Sequence, residues 1–252
     1  MRDDEVRARA LALIQQRPQA GGDGIVGWLT RLCQVLSVEV GVTAVTVTVG
    51  SPNDRSAVVA ASEPAHQRFA ESEFGAGEGP AQDAWAHGRP VLVPELGSSQ
   101  AGAWPGYTMI ASAAGVRAVF AFPLQMGAVR FGVLTLFRDH PGELPRPELR
   151  MCLSMAVLAT ERLINDSTLP GGELDPSLRE PLDFRNVVYQ AQGIMAVALG
   201  ISLIDALARM RGHAFRSGRE LVEIADDIVH NGLRLVDDEH SRGPGTNQHE
   251  GE

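Results

Sequence analysis

Arg209, His213 and Arg216 recur at i, i+4 and i+7, the spacing that sets three side chains along one face of a helix. Arg211 and Arg219 lie close by in sequence. A guanidinium group binds phosphate oxygens through a planar fork of donors and stacks on unpaired bases, so the strip suits RNA chemistry. The competing reading is a solvated helix face with scattered ion pairs, which composition alone favours. Every basic residue other than histidine is arginine; the chain contains no lysine. That excludes a P-loop lysine on phosphates, a Schiff base, and the lysine a phospho-receiver domain requires.

Other chemistries find little support. No GxSxG elbow or HExxH string occurs, and the carboxylates fall on solvated helix faces and in the tail, so no catalytic residue is expected. FGAGEGP follows no strand-to-helix context for a dinucleotide and reads as turns. Asp83 and His87 stand at i, i+4, a spacing for a metal or an axial haem ligand, or for an exposed helix-face pair; the latter is favoured, and no metal or cofactor is expected. Phe74, Trp85, Met109, Phe120 and Phe131, with Trp104 and Tyr107, either line a pocket for a small molecule or fill a core. Cys33 and Cys152 lie far apart in apolar helical patterns and read as buried thiols of a reducing compartment.

The elements that must position these residues follow from periodicity. Residues 1–17 space Val6, Ala10, Leu13 and Ile14 as a leading helix, which PQAGGDG interrupts. A helix over 24–39 precedes TAVTVTV and SAVVAAS, a hairpin signal. A helix-prone section over 65–87, the strand RPVLVP and a second hairpin, RAVFAFPLQMGAVRFGVLTLFR turning at Met126 and Gly127, come next. A helix over 146–165, with Leu149, Leu153, Val157 and Leu163 on its apolar face, closes an α+β unit with a mostly antiparallel sheet. Residues 166–177, rich in Pro, Gly and acids, read as a linker, and residues 237–252 as a disordered tail.

Between them three helices are expected. The first spans 178–199, with Val187, Val188, Ala191, Ile194, Met195 and Ala198 as its apolar stripe. The second begins in a capping box of Ser202 and Asp205 and buries Leu203, Leu207, Met210 and Ala214; the third begins in a box of Ser217 and Glu220. Gly193 interrupts the first. A glycine there costs about 1 kcal/mol relative to alanine, so it reads as a site where a neighbouring helix packs closely or a ligand is touched.

QAQGIM, LGIS, DALARMR and AFRSGRELVEIA, in this order, make residues 178–236 similar to the ANTAR domain family. The resemblance implies a three-helix RNA-binding module of bacterial transcription antitermination regulators that recognises paired stem-loops with hexanucleotide loops. Matching positions include Arg185, Gln190, Ala191, Gly193, Arg216, Arg219 and Leu221, and the implied RNA-binding set is Arg185, Gln192, Arg209, Arg211, His213, Arg216 and Arg219. The family commonly has lysine where Gln192 stands, so one charge that could face phosphate is missing. Residues 24–165, through GEGPAQDAWAHGRPVLVPEL, resemble a GAF domain of the kind found ahead of ANTAR modules in actinobacteria. That implies a sensor with an unknown small-molecule ligand, a redox or light cofactor, or a dimerisation role. Ala81 stands where related chains often carry cysteine after GEGP, which argues against a thiol sensor or a thioether-linked tetrapyrrole.

The whole reads as a GAF sensor controlling an ANTAR module that binds nascent stem-loop RNA as a homodimer. A net charge of −9 argues against a whole-chain grip on nucleic acid or membrane, so the basic contact must be local. The start lacks a signal-peptide pattern and no apolar run approaches spanning length, so a cytoplasmic protein is expected. Two alternatives stand beside this. One is a helix-turn-helix DNA reader, disfavoured because Glu220, Glu223, Asp226 and Asp227 crowd its recognition helix. The other is a signalling or protein-interaction module that has lost RNA binding.

Overall fold

The structure, a computed structural model, describes residues 3–17, 24–50, 56–97, 103–166, 175, 177–178 and 185–235. The expected 166–177 linker falls mostly, and the 237–252 tail wholly, outside them. The chain divides into two compact units, Met1–Val187 and Val188–Glu252.

The first unit runs α1 (Asp3–Gln16), α2 (Ile25–Val40), β1 (Ala44–Gly50), β2 (Ser56–Ala61), α3 (Gln67–Ala76), α4 (Pro80–His87), β3 (Val91–Val93), α5 (Pro105–Ala113), β4 (Ala118–Met126), β5 (Val129–Arg138) and α6 (Arg146–Asp166). The strands form one antiparallel sheet in the order β2-β1-β5-β4-β3. Both expected hairpins are present: β1 pairs with β2, and β4 with β5 across the turn after Met126.

Strand alternation divides the core. Ala118, Phe120, Phe122 and Leu124 of β4 pack with Leu29, Leu32 and Leu36 of α2 and with Cys152, Met155 and Ala159 of α6. Val119 and Phe137 point the other way, into a cluster with Phe69, Trp104 and Tyr107, while Ala121 and Val133 meet Ala84 of α4. Helices therefore cover both faces: α1, α2 and α6 on one, α3, α4 and α5 on the other. Val6, Ala10 and Ile14 of α1 are buried in the first cluster, as the leading helix pattern requires. The face of α6 differs from expectation. Leu163 is buried, but Leu153 and Val157 are exposed, because the competing apolar register through Cys152, Met155 and Ala159 faces the sheet.

The second unit is built on α7 (Asn186–Leu199), α8 (Leu203–Ser217) and α9 (Leu221–His230). Its buried apolar residues are Val188, Ala191 and Met195 of α7, Ala206, Leu207, Met210 and Ala214 of α8, and Leu221, Ile224, Ala225 and Ile228 of α9. Ile194, Ala198 and Leu203, expected in these stripes, are exposed. No single helix among the described residues is long and apolar enough to cross a membrane.

Candidate functional site

Two caps position α8. The Ser202 hydroxyl accepts from the Asp205 N–H at 3.1 Å and donates to the Asp205 carboxylate at 2.7 Å, so the serine half of the expected capping box forms. At the other end Gly218 adopts φ 65°, and its N–H reaches the carbonyls of Ala214 and Phe215. The helix therefore stops after Ser217, whose hydroxyl donates back to the His213 carbonyl at 2.8 Å. The expected box of Ser217 and Glu220 does not form: Ser217 ends α8, and Glu220 is the N-cap of α9 without a side-chain cap bond.

One face of α8 and the segment after α9 enclose an open groove of about 1110 Å³, whose lining includes Asp205, Arg209, His213, Arg216, Arg234 and Leu235. The strip inferred from i, i+4, i+7 spacing thus lies along a single concavity. Helical spacing does not bring in Arg234; the fold does. The N–H groups of Asn231 and Leu233 both donate to the Asp227 carbonyl, each at 3.0 Å, which ends α9 and turns the chain so that Arg234 and Leu235 reach the groove. Three guanidinium groups around one concavity make a local positive field in an acidic protein.

The remaining sequence candidates lie elsewhere. The Arg219 guanidinium is held by Asp227 at 2.8 Å and Glu223 at 3.4 Å, and the hydrogen bond to Asp227 raises its pKa. Arg211 is half-buried and outside the groove lining. Gln192 donates from Nε2 to the Leu203 carbonyl at 2.7 Å, bracing the turn between α7 and α8.

Arg185 departs furthest from expectation. It is 1% exposed, within the first unit, where Nη2 meets Glu71 at 2.8 Å and Nη1 donates to the carbonyl and hydroxyl of Ser56, each at 3.0 Å. Its guanidinium lies 3.9 Å from the centre of the Phe74 ring. A side chain so enclosed presents no donor to a phosphate, which corrects its assignment to the RNA-binding set.

The helix-packing reading of Gly193 also calls for correction: a β-carbon there would meet nothing within 4 Å among the described residues, so no neighbouring helix among them requires the glycine. Gly193→Ala is expected to stabilise the second unit by about 0.5–1 kcal/mol, the helix-propensity difference, read as a rise in the thermal midpoint.

The five residues expected to line a sensor pocket do not converge. Phe120 lies on the α2 and α6 face and Phe131 packs against that same core. Trp85 packs with Ala84 on the opposite face, Phe74 lies under Arg185, and Met109 is exposed. The sheet separates Phe120 and Phe131 from Trp85, which lies on a helix covering its other face. The His87 ring donates from Nδ1 to the Asp83 backbone carbonyl, 2.8 Å away, instead of pairing with the Asp83 carboxylate.

The chemistry on the α3, α4 and α5 face centres on Glu73, which periodicity alone reads as a solvated acid. It is 3% exposed, and its Oε1 accepts from the N–H groups of Ala81 at 2.5 Å and Gln82 at 3.1 Å, at the start of α4. Gly79, at φ 151°, comes so close to this carboxyl that any β-carbon would collide with it. Burial pushes the Glu73 pKa up to about 8 against the pull of these two amides, and Asp83 adds to the rise. The Tyr107 hydroxyl, buried nearby, has no hydrogen-bond partner among the described residues, and burial followed by the charge of Glu73 raises its pKa. The neighbouring Glu78 accepts from the Gly106 N–H at 2.7 Å, tying this turn to the start of α5.

Comparison with known proteins accords with this architecture. Residues 28–161 match the GAF domain family model, and the chain belongs to that family. Residues 177–229 match the ANTAR domain model. ANTAR domains bind RNA in transcription antitermination and GAF domains are sensors, so both are known as regulatory domains. Among solved structures, the chain is similar to the GAF domain of a phosphoenolpyruvate-protein phosphotransferase from Coxiella burnetii, at 12% identity and a TM-score of 0.49, over 64% of this chain and 92% of that one. The corresponding Acinetobacter domain gives 11% identity and a TM-score of 0.47 over the same shares, 64% and 92%. Free methionine-R-sulfoxide reductase from Neisseria meningitidis, solved with its substrate, gives 18% and 0.46, over 64% and 88%. No curated protein matches the chain.

Proposed function

We propose that this protein is a transcription antitermination regulator of the actinobacterial type, acting in the cytoplasm, in which the GAF domain senses a signal and the ANTAR domain binds stem-loop RNA. The observation that carries the reading is the groove along α8, with Arg209, His213, Arg216 and Arg234 around it. Arginine forks suit the phosphates of a folded loop and the faces of its unstacked bases. The acids of α9 disfavour duplex DNA: Arg219, which precedes that helix, is already held by Glu223 and Asp227, and Asp226 is exposed beside them. Binding as a homodimer would let two modules engage adjacent stem-loops with a gain in effective concentration. Leu153 and Val157, exposed one turn apart on α6, supply apolar surface for such pairing.

The test is equilibrium binding to a tandem stem-loop RNA with hexanucleotide loops, against a loop-scrambled control and duplex DNA at one salt concentration. Arg209→Ala/Arg216→Ala is expected to weaken the selective binding about tenfold and to lower the salt slope by roughly 0.7 for each phosphate no longer neutralised. Helical content should be unchanged. Equal affinity for loop and scrambled RNA, or a double variant that binds as tightly as the parent, overturns the reading.

A further inference from the structure

The groove has a second polyanion available to it within the same chain. Arg234 and Leu235 form part of its lining, and the sequence continues through Val236 directly into Asp237, Asp238 and Glu239. We infer that this acidic run, just beyond the described residues, docks in the α8 groove and competes there with RNA phosphate.

Reach and charge both fit. An extended chain advances about 3.3–3.6 Å per residue, so the three carboxylates lie within roughly 7–14 Å of Leu235 along the backbone. Arg209 and Arg216 are separated by about 10 Å along α8, given a rise of about 1.5 Å per residue. Three consecutive acids, about 7 Å from first to last in an extended chain, thus come within reach of three arginines, Arg209, Arg216 and Arg234. Among the described residues of the lining, Asp205 is an acid, and its carboxylate accepts from the Ser202 hydroxyl at 2.7 Å. His213 lies between the two α8 arginines. The covalent tether keeps the acidic run at high effective concentration, so even a weak contact occupies the groove and lowers the apparent affinity of an outside ligand. The run ceases to compete only when an RNA offers more phosphate contacts than three carboxylates can replace, which makes it a threshold against non-specific RNA.

The docking itself does not depend on what the groove binds; its regulatory consequence rests on the RNA-binding reading. The experiment separates the two, using the full chain, Asp237→Asn/Asp238→Asn/Glu239→Gln, and the control Glu250→Gln/Glu252→Gln, which removes distal charge. The first readout is the backbone amide resonances of Ala208, Gly212 and Arg216, remote in sequence from every substitution. They are expected to shift in the triple variant and to stay in place in the control. The second is affinity for the hexanucleotide-loop RNA, expected to rise about fivefold in the triple variant only. Unmoved α8 amides overturn the inference, as do shifts or affinity gains of equal size in the control. Shifted amides with no RNA binding by either protein sustain the docking and remove the RNA-binding reading instead.

Discussion

Raising the pH from about 5 to about 8 is expected to cost the protein stability through Glu73, and Glu73→Gln to remove that loss. The folded-state pKa of about 8 stands above the ordinary value of 4.5, chiefly because the carboxyl is buried. A carboxyl whose folded pKa is raised holds its proton more tightly in the native state than in the unfolded chain. Its contribution is therefore complete below pH 4.5 and is lost as the pH rises through 8. At about 1.36 kcal/mol per unit, the difference is on the order of 4 kcal/mol across the window. The amide that Glu73→Gln introduces keeps a carbonyl oxygen for the Ala81 and Gln82 N–H groups and stays neutral throughout. Urea unfolding at a series of pH values should give similar stabilities for the two proteins near the acid end of this window and a more stable variant at its alkaline end. Parallel curves would show that the α4 amides alone carry the charge of Glu73. Because this carboxyl abuts the turn that joins α3 to α4, its ionisation is expected to be felt first at that turn.

What was legible in the residues is what depends on neighbours along the chain. The apolar, β-branched run RAVFAFPLQMGAVRFGVLTLFR announces a hairpin turning at Met126 and Gly127, and β4 and β5 pair across that turn. Ser202 and Asp205 three residues apart announce a helix start, and α8 begins there. The strip of Arg209, His213 and Arg216 needs only helical spacing to fall on one face. Contacts between distant segments were not legible. Arg234 reaches the groove only because the chain reverses after α9. Ser217 opens a capping pattern in sequence, yet the left-handed turn at Gly218 assigns it to the preceding helix. Glu73 has the spacing of a surface acid and becomes a buried one because α4 starts directly against it. The pocket candidates share a composition but not a side of the sheet, Phe120 and Phe131 packing on one face and Trp85 on the other, so they do not form one pocket.

Arg185→Ala is expected to destabilise the first unit by about 3 kcal/mol in chemical denaturation. Removing one partner of a buried ion pair costs about 3–5 kcal/mol, because the other charge is left in place without compensation. Here Glu71 retains 31% side-chain exposure and can recover some solvation, which places the effect at the lower end of that range. The Ser56 carbonyl and hydroxyl and the face of Phe74 are uncovered at the same time. Arg185→Lys is expected to recover less than half of the loss. An ammonium can meet Glu71 or Ser56, but it lacks the planar fork that spans both while lying over the ring. Glu71→Gln should cost less than Arg185→Ala, since an amide still accepts from the arginine and the half-exposed position tolerates a neutral group. An Arg185→Ala protein with unchanged denaturation but weakened RNA binding would reverse the assignment and return this arginine to the nucleic-acid surface. The side chain that sequence similarity places among RNA contacts is, in this chain, a fastener that ties the segment leading into α7 to β2 and α3.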